Sequence, residues 1–345
     1  MHAGVSFCPE NDMTTSGVAI QARARPALRL IETKQLSREA WLASRKKGIG
    51  SSDAAAAIGL SPYKSQLALW LEKTGRDQLL AKDEQEKEDT PMHWGTILEP
   101  IVAAQYARRT GRRVRRVNAV LQHPDPELSW MLANIDREIV GDVEVQILEC
   151  KTAGLHSAIH WRDRVPEYVQ LQVQHQLAVT GKQCADVAVL VAGQKLDIFR
   201  IERDELLIGR LIQLERQFWR YVETDTPPPA DGSESSEAAL RALFPVDSGE
   251  TVDFTHEAVL SAKFSDLQQV KLQLENLKAL EGELRNTIQQ AMGAATTAIF
   301  ETGRVSWKKA KDSQCLDTAR LMREQPELLA KYQQTRLGSR RFLIL

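Results

Sequence analysis

Apolar residues recur at helical spacing through much of the first hundred positions, and the spacing predicts a series of short helices. Ser37 with Glu39 opens one that carries Trp41 and Leu42 and is broken by Gly48 and Gly50. Ser51, Ser52 or Asp53 then caps a second, through the alanine run at 54–57. "SPYKSQLALWLEKTG" (61–75) predicts a third, ended by Gly75. "HWGTILEPIVAAQYARRTG" (93–111) predicts a longer one, with Ile97, Ile101, Val102 and Tyr106 on its apolar stripe and Gly111 as its stop.

From residue 112 the period changes from helical to alternating. "RRVRRVNAVLQHP", "SWMLANIDREIV" and "GDVEVQILECKT" predict three strands of an antiparallel meander. "PEYVQLQVQHQLAVTG" (166–181) predicts a helix. Two strands over 184–203 and an amphipathic helix over 204–223 follow. This order implies a mixed α/β (α+β) domain over 31–225 instead of repeated βαβ units. Residues 1–30 read as a polar tail. The Pro- and Ser-rich "TDTPPPADGSESSE" opens a linker, taken as 226–256. In the remaining 257–345, apolar residues from Leu260 to Ile288 predict a long helix, "AIFETGRVSWKKAK" a hairpin and "SRRFLIL" a final strand.

Composition narrows the class. The 345 residues are 43% hydrophobic, enough for a sizeable core, and the net charge of −1 points to no partner by itself. Four scattered cysteines without a CxxC pair argue against a disulfide framework and for a reducing, cytoplasmic setting. No run of apolar residues is long enough for a membrane helix, and the N-terminus lacks the pattern of a secretory signal. The charge run 81–90 reads as a solvated loop.

The chemistry begins in "VEVQILECKT". On a strand, Val143, Val145 and Ile147 share a face with Glu149 and Lys151. A carboxylate and an ammonium ending an apolar face must pair, stay hydrated or bind something. A plain strand-end ion pair is one reading. Asp136, at the end of the neighbouring strand-like segment, supplies the other: carboxylates brought together repel, and a divalent cation relieves that repulsion. Glu99, on the preceding helix, is a third carboxylate, and otherwise a favourable partner of the helix dipole. Hard oxygen ligands suit Mg²⁺ or Mn²⁺. The Cys150 carbonyl is a natural further ligand, whereas its thiol points to the opposite face and reads as core. Two metal ligands plus a lysine are what phosphodiester hydrolysis needs. The basic run "RRTGRRVRR", with Arg112 and Arg113 at its centre, fits a phosphate backbone or else a solvated loop. Lys308, Lys309 and Lys311 form a second basic cluster. His156 and His160 have zinc-pair spacing but no third ligand. "GIGSS" lacks the lysine of a phosphate loop, and there is no G-x-S-x-G elbow.

"RKKGIGSSDAAAAIG", "GTILEP", "ANID", "ECK" and "PEYVQLQVQHQLAVTG", in this order, resemble the YqaJ-type phage nucleases, relatives of the lambda-type exonucleases in the PD-(D/E)xK superfamily. The resemblance covers about 38–220. It implies a restriction-endonuclease-like core, a two-ion site for Mg²⁺ or Mn²⁺, and DNA cleavage, as a 5′-to-3′ exonuclease on duplex ends in phage-type recombination. Residue by residue, Asp136, Glu149 and Lys151 match the motif's D, E and K, and Glu99 its upstream acid. Gln172 matches the helical glutamine, with Gln174 two residues on as the alternative. Ser52 and Arg45 match phosphate contacts. Asn134 stands where the lambda-type enzymes carry serine. A single-strand annealing protein and further copies of the chain are the implied protein partners. An endonuclease and a non-catalytic DNA-binding accessory protein are the competing readings.

Overall fold

The computed structural model describes residues 26–80, 90–332, 338 and 340–344; most of the polar tail, and the charge run apart from Thr90, lie outside them. Two compact units divide after Leu243.

The first unit is built on two sheets. One has five strands in the order β3 (Val114–Arg116), β6 (Arg137–Ile139), β7 (Ile147–Ala153), β8 (Cys184–Val191) and β9 (Lys195–Glu202). Its pairs are antiparallel except β7 with β8. That parallel pair needs a crossover, and α5 (Glu167–Thr180) provides it. The other sheet has the order β1 (Leu28–Glu32), β4 (Ala119–Gln122), β5 (Met131–Ala133) and β2 (Ile49–Gly50).

Sequence alternation sets the two faces of β7. Ile147 and Ala153 join the larger core, together with Val169, Val173 and Leu177 of α5. Leu148 and Cys150 face the other way, onto Val102, Ala103 and Tyr106 of α4 (Pro91–Thr110). The Cys150 thiol is therefore core, as the alternation requires. Both faces of the strand are therefore covered, one by α5 and the other by α4.

Capping fixes the helices around the sheets. Ser37 caps α1 (Arg38–Arg45) and Ser65 caps α3 (Gln66–Lys73), each accepting a backbone N–H from three residues on. Gly111 and Gly181 stop α4 and α5 with φ of 72° and 68°, the left-handed turn that favours glycine. His175 of α5 donates from one ring nitrogen to Glu215 of α6 (Glu205–Glu223), at 2.8 Å, and from the other to the Leu132 carbonyl, at 2.9 Å. Burial opposes its charge, but Glu215 outweighs burial and raises the imidazole's pKa. The ion pair locks α5 between α6 and β5.

Several sequence expectations are corrected. The three-strand meander is five strands shared by two sheets: the first segment splits into β3 and β4, the second into β5 and β6, and the chain crosses between sheets at each split. Val143 and Val145 both precede β7; Val143 is 91% exposed and Val145 packs with Leu148 and Cys150 on the opposite side, so the apolar face shared with Glu149 and Lys151 begins at Ile147. Ile97 and Ile101 are exposed, because α4 turns Val102, Ala103 and Tyr106 inward. The alanine helix, α2, spans only Ala54–Ala57 after a 3₁₀ turn at Ser51–Asp53, and no side chain caps it. The Pro-rich run does not end the first unit. α7 (Glu234–Leu243) follows it and packs on α3, burying Ser236 and Ala239, and Ser235 Oγ accepts the Ser65 N–H at 3.0 Å.

The second unit, Phe244–Leu345, holds α8 (Ala258–Met292), the hairpin of β10 (Thr297–Phe300) and β11 (Gly303–Ser306), and two short helices. Leu260, Phe264, Leu274, Leu277 and Leu284 of α8 are exposed. No strand forms among the described residues of "SRRFLIL". Among the described residues, no helix is long and apolar enough to cross a membrane.

Candidate active site

β7 presents Glu149 and Lys151 toward α5. Burial leaves Glu149 only 3% exposed, so its carboxylate must find donors inside the protein. It finds three: Gln172 Nε2 at 2.5 Å and Lys151 Nζ at 2.8 Å on Oε1, and Gln176 Nε2 at 2.8 Å on Oε2. Lys151 Nζ also donates to Gln172 Oε1 at 2.9 Å. Gln172 and Gln176 are one helical turn apart, which is why one helix face supplies both. Gln174 faces elsewhere: it donates to the Glu202 carbonyl and accepts the Asp204 N–H. The geometry thus places Gln172, not Gln174, beside Glu149. Gln176 was not singled out from the sequence, although its i+4 spacing from Gln172 was the available signal.

Asp136 lies in the link between β5 and β6. The register pairs Arg137 with Leu148, and Asp136 Oδ2 accepts the Cys150 N–H at 2.8 Å. Burial, followed by the nearby Glu149 and Glu99 charges, pushes the Asp136 carboxyl up to about 8, against the pull of the Cys150 N–H and Lys151. Burial would lower the Lys151 pKa, but the Glu149 carboxylate reverses this and the net shift is upward, so Lys151 remains an ammonium.

Glu99 approaches from α4. Its Oε1 is 2.5 Å from Arg137 Nη1, which also donates to the Asp136 carbonyl at 2.7 Å. Arg137, buried and overlooked in the sequence, neutralises Glu99. Among the described residues, no three Asp, Glu, His or Cys side chains are assembled into a metal cluster. The donor set nevertheless suits a hard divalent ion. It offers carboxylate oxygens on which burial, and then mutual repulsion, favours a retained proton, and the Cys150 thiol beside them points away into apolar packing.

The other candidates occupy two further places. Arg45 Nη2 donates to Ser52 Oγ at 2.9 Å and to Asp53 Oδ1 at 2.8 Å, and its guanidinium lies 5.0 Å from the centre of the Trp41 ring. Asp53 also accepts from buried Lys73 at 2.7 Å. Burial raises the Asp53 pKa, but Lys73 and Arg45 outweigh it and hold the carboxyl well below its usual range. The glycines of "GIGSS" serve the fold here. A Cβ on Gly48 would meet the Trp130 carbonyl oxygen at 2.3 Å, so glycine lets β2 approach β5. Arg112 is engaged elsewhere, 2.6 Å from Asp142, 3.6 Å from Glu144 and 3.7 Å from Asp186, while Arg113 is exposed. His156 and His160 are exposed and join no metal cluster among the described residues.

Three kinds of known protein resemble this chain. The model of the YqaJ-like viral recombinase domain matches residues 40–183, which include Arg45, Ser52, Glu99, Asp136, Glu149, Lys151 and Gln172. The uncharacterized protein YqaJ of Bacillus subtilis (strain 168) is 34% identical over 307 residues, 88% of this chain and 92% of that protein. Such a match extends past the Pro-rich run into the second unit. Among solved structures, an alkaline exonuclease from Laribacter hongkongensis is 23% identical, with a TM-score of 0.45 over 55% of this chain and 94% of that one. A phage related exonuclease from Haemophilus somnus 129PT is 11% identical, with a TM-score of 0.35 over 52% and 96%. On the strength of the full-length relative and the domain match together, this chain belongs to the YqaJ-like viral recombinase family.

Proposed function

We propose that the protein is a divalent-metal-dependent deoxyribonuclease that degrades duplex DNA from its ends in the 5′-to-3′ direction. The observation that carries this reading is the convergence of Asp136, Glu149 and Lys151, with Gln172 bridging the last two. Asp136, Glu149 and the Cys150 carbonyl would hold Mg²⁺ or Mn²⁺, as two ions if Glu99 leaves Arg137 to join them. A bound ion supplies an activated water and neutralises charge on the scissile phosphate.

The chain's own groups do the rest. Lys151, kept protonated by Glu149, is a fixed positive charge beside the reacting phosphate and not a general base. Gln172 holds Lys151 and Glu149 in register and keeps an amide available to orient water. Arg45 and Ser52 form the phosphate contact for a 5′ end, and exposed Arg113 adds backbone attraction. Arg112, being ion-paired, contributes to folding first. Digestion from an end leaves a single strand, the substrate of an annealing protein, so such a partner and self-assembly on DNA belong to the same reading.

End-labelled linear duplexes and closed circles, each with and without Mg²⁺, provide the test. Rapid loss of linear DNA only, and only with Mg²⁺, is expected. Equal cutting of circles would favour an endonuclease. Binding without cleavage would favour the accessory-protein reading. Full activity in excess chelator would remove the metal.

A further inference from the structure

Gln176 is fully buried, and both hydrogens of its amide are committed. Nε2 donates to Glu149 Oε2 at 2.8 Å and to the Asn134 carbonyl at 3.1 Å, while Oε1 has no partner. A flipped amide would set its oxygen against a carboxylate and a carbonyl, both acceptors, so this orientation is forced. The orphaned Oε1 is a cost that the two donated bonds must outweigh.

The two acceptors belong to different parts of the site. Glu149 is one candidate ligand. Asn134 lies two residues before Asp136, the other candidate ligand, in the link between β5 and β6. Ser51 Oγ also donates to the Asn134 carbonyl, at 3.5 Å. Gln176 therefore ties the segment carrying one carboxylate to the other carboxylate. On the far side of Glu149, Gln172 and Lys151 hold Oε1, so the carboxylate is gripped at both oxygens and cannot turn freely. The His175–Glu215 pair next to Gln176 keeps the helix itself from shifting.

We propose that Gln176 is a positioning residue that aims the Glu149 carboxylate and sets its separation from Asp136 for binding of the divalent ion. This rests on the metal-dependent reading above. A purely structural role for Gln176 predicts lost stability with unchanged ion affinity. Gln174 serves as the control, since it is buried on the same helix but bonds to the Glu202 carbonyl and the Asp204 N–H.

The experiment is calorimetric titration of Mn²⁺ into the full chain without DNA, for wild type, Gln176→Met, Gln176→Asn and Gln174→Met. Near-ultraviolet dichroism reports whether each is folded. Both Gln176 variants should bind Mn²⁺ about 10–100-fold more weakly, as expected when a ligand loses its supporting partner. Gln174→Met should keep wild-type affinity. Raised Mg²⁺ should partly restore cleavage by Gln176→Asn with the half-saturating DNA concentration unchanged. Wild-type Mn²⁺ affinity in a folded Gln176 variant would overturn the proposal, as would equal weakening by Gln174→Met. Failure of both Gln176 variants to fold would make the residue structural and likewise overturn it. If the wild type takes up no Mn²⁺, the metal reading falls and this inference with it.

Discussion

Lys151 Nζ lies 2.8 Å from Glu149 Oε1, two residues along the same strand and on the same face. Here a strand-end Glu–Lys pair is also a charge device. The carboxylate keeps the amine protonated against burial, which alone would lower its pKa. If Glu149 were to hold an ion as proposed above, the Lys151 ammonium would stay available for a phosphate beside it.

Lys151→Met should therefore abolish most cleavage while leaving DNA binding nearly intact. The loss of one electrostatic contact to a developing charge is worth about 10²–10³-fold in turnover. Single-turnover cleavage and a filter-binding isotherm on the same DNA separate the two quantities. A parallel loss of binding and cleavage would place Lys151 in substrate retention instead.

Asp136 makes a pH-dependent contribution of opposite sign to that of an ordinary ion-paired carboxylate. Its folded pKa of about 8 lies above the usual 3.8, so between those values the folded chain keeps a proton that the unfolded chain has lost. Stability without metal then falls as pH rises through that window. Asp136→Asn removes the term, so in chelator the variant should gain on wild type between pH 5 and pH 9. Urea unfolding at several pH values checks this; parallel curves for the two proteins would contradict it.

The sequence made Glu149 and Lys151 legible because a strand's period of two is rigid, and the helix stops at Gly111 and Gly181 were equally local. Arg137 and Gln176 were not legible in the same way. Their roles come from partners 38 and 27 residues away, and a buried arginine or glutamine carries no pattern of its own. The split of the meander into two sheets escaped for the same reason: alternation marks a strand but not its neighbour. The need for Gly48 was hidden for the same reason, since it comes from the closeness of β2 to β5.

Asp53 is held by two cations, one of them the buried Lys73. Losing Lys73 leaves Asp53 with Arg45 alone, so the cost stays below the about 3–5 kcal/mol of an unpaired buried charge. Lys73→Met should destabilise the first unit by about 1–3 kcal/mol and, with the Lys73 bond to the Arg45 carbonyl gone, loosen the Arg45 backbone. Chemical denaturation measures the first effect. Tryptophan emission, which reports Trp41 beneath Arg45, follows the second.

A chain ending at Leu243 should fold and cleave, whereas one ending at Thr226 should be unstable. The shorter chain lacks α7, which covers α3 and buries Ala239 in the main core. If the chain ending at Leu243 folds but is inactive at high concentration, the second unit completes the site or the DNA grip.

The most exposed expectation concerns Ser52. Arg45 Nη2 is shared between Ser52 and Asp53, so the guanidinium is already aimed by one carboxylate and its remaining N–H groups are free to meet an anion. Ser52 itself is exposed, and its hydroxyl caps no helix. The four-residue α2 offers little dipole, so any grip on a 5′-phosphate rests on these two side chains. Ser52→Ala should leave stability almost unchanged, since surface substitutions typically stay within about 0.5 kcal/mol. It should weaken the preference for 5′-phosphorylated over 5′-hydroxyl duplex ends, and Arg45→Ala should erase it. The measurement is the initial rate on linear duplexes carrying each kind of end. If wild type degrades both ends at one rate, Arg45 and Ser52 hold the fold together and the end is recognised by other groups.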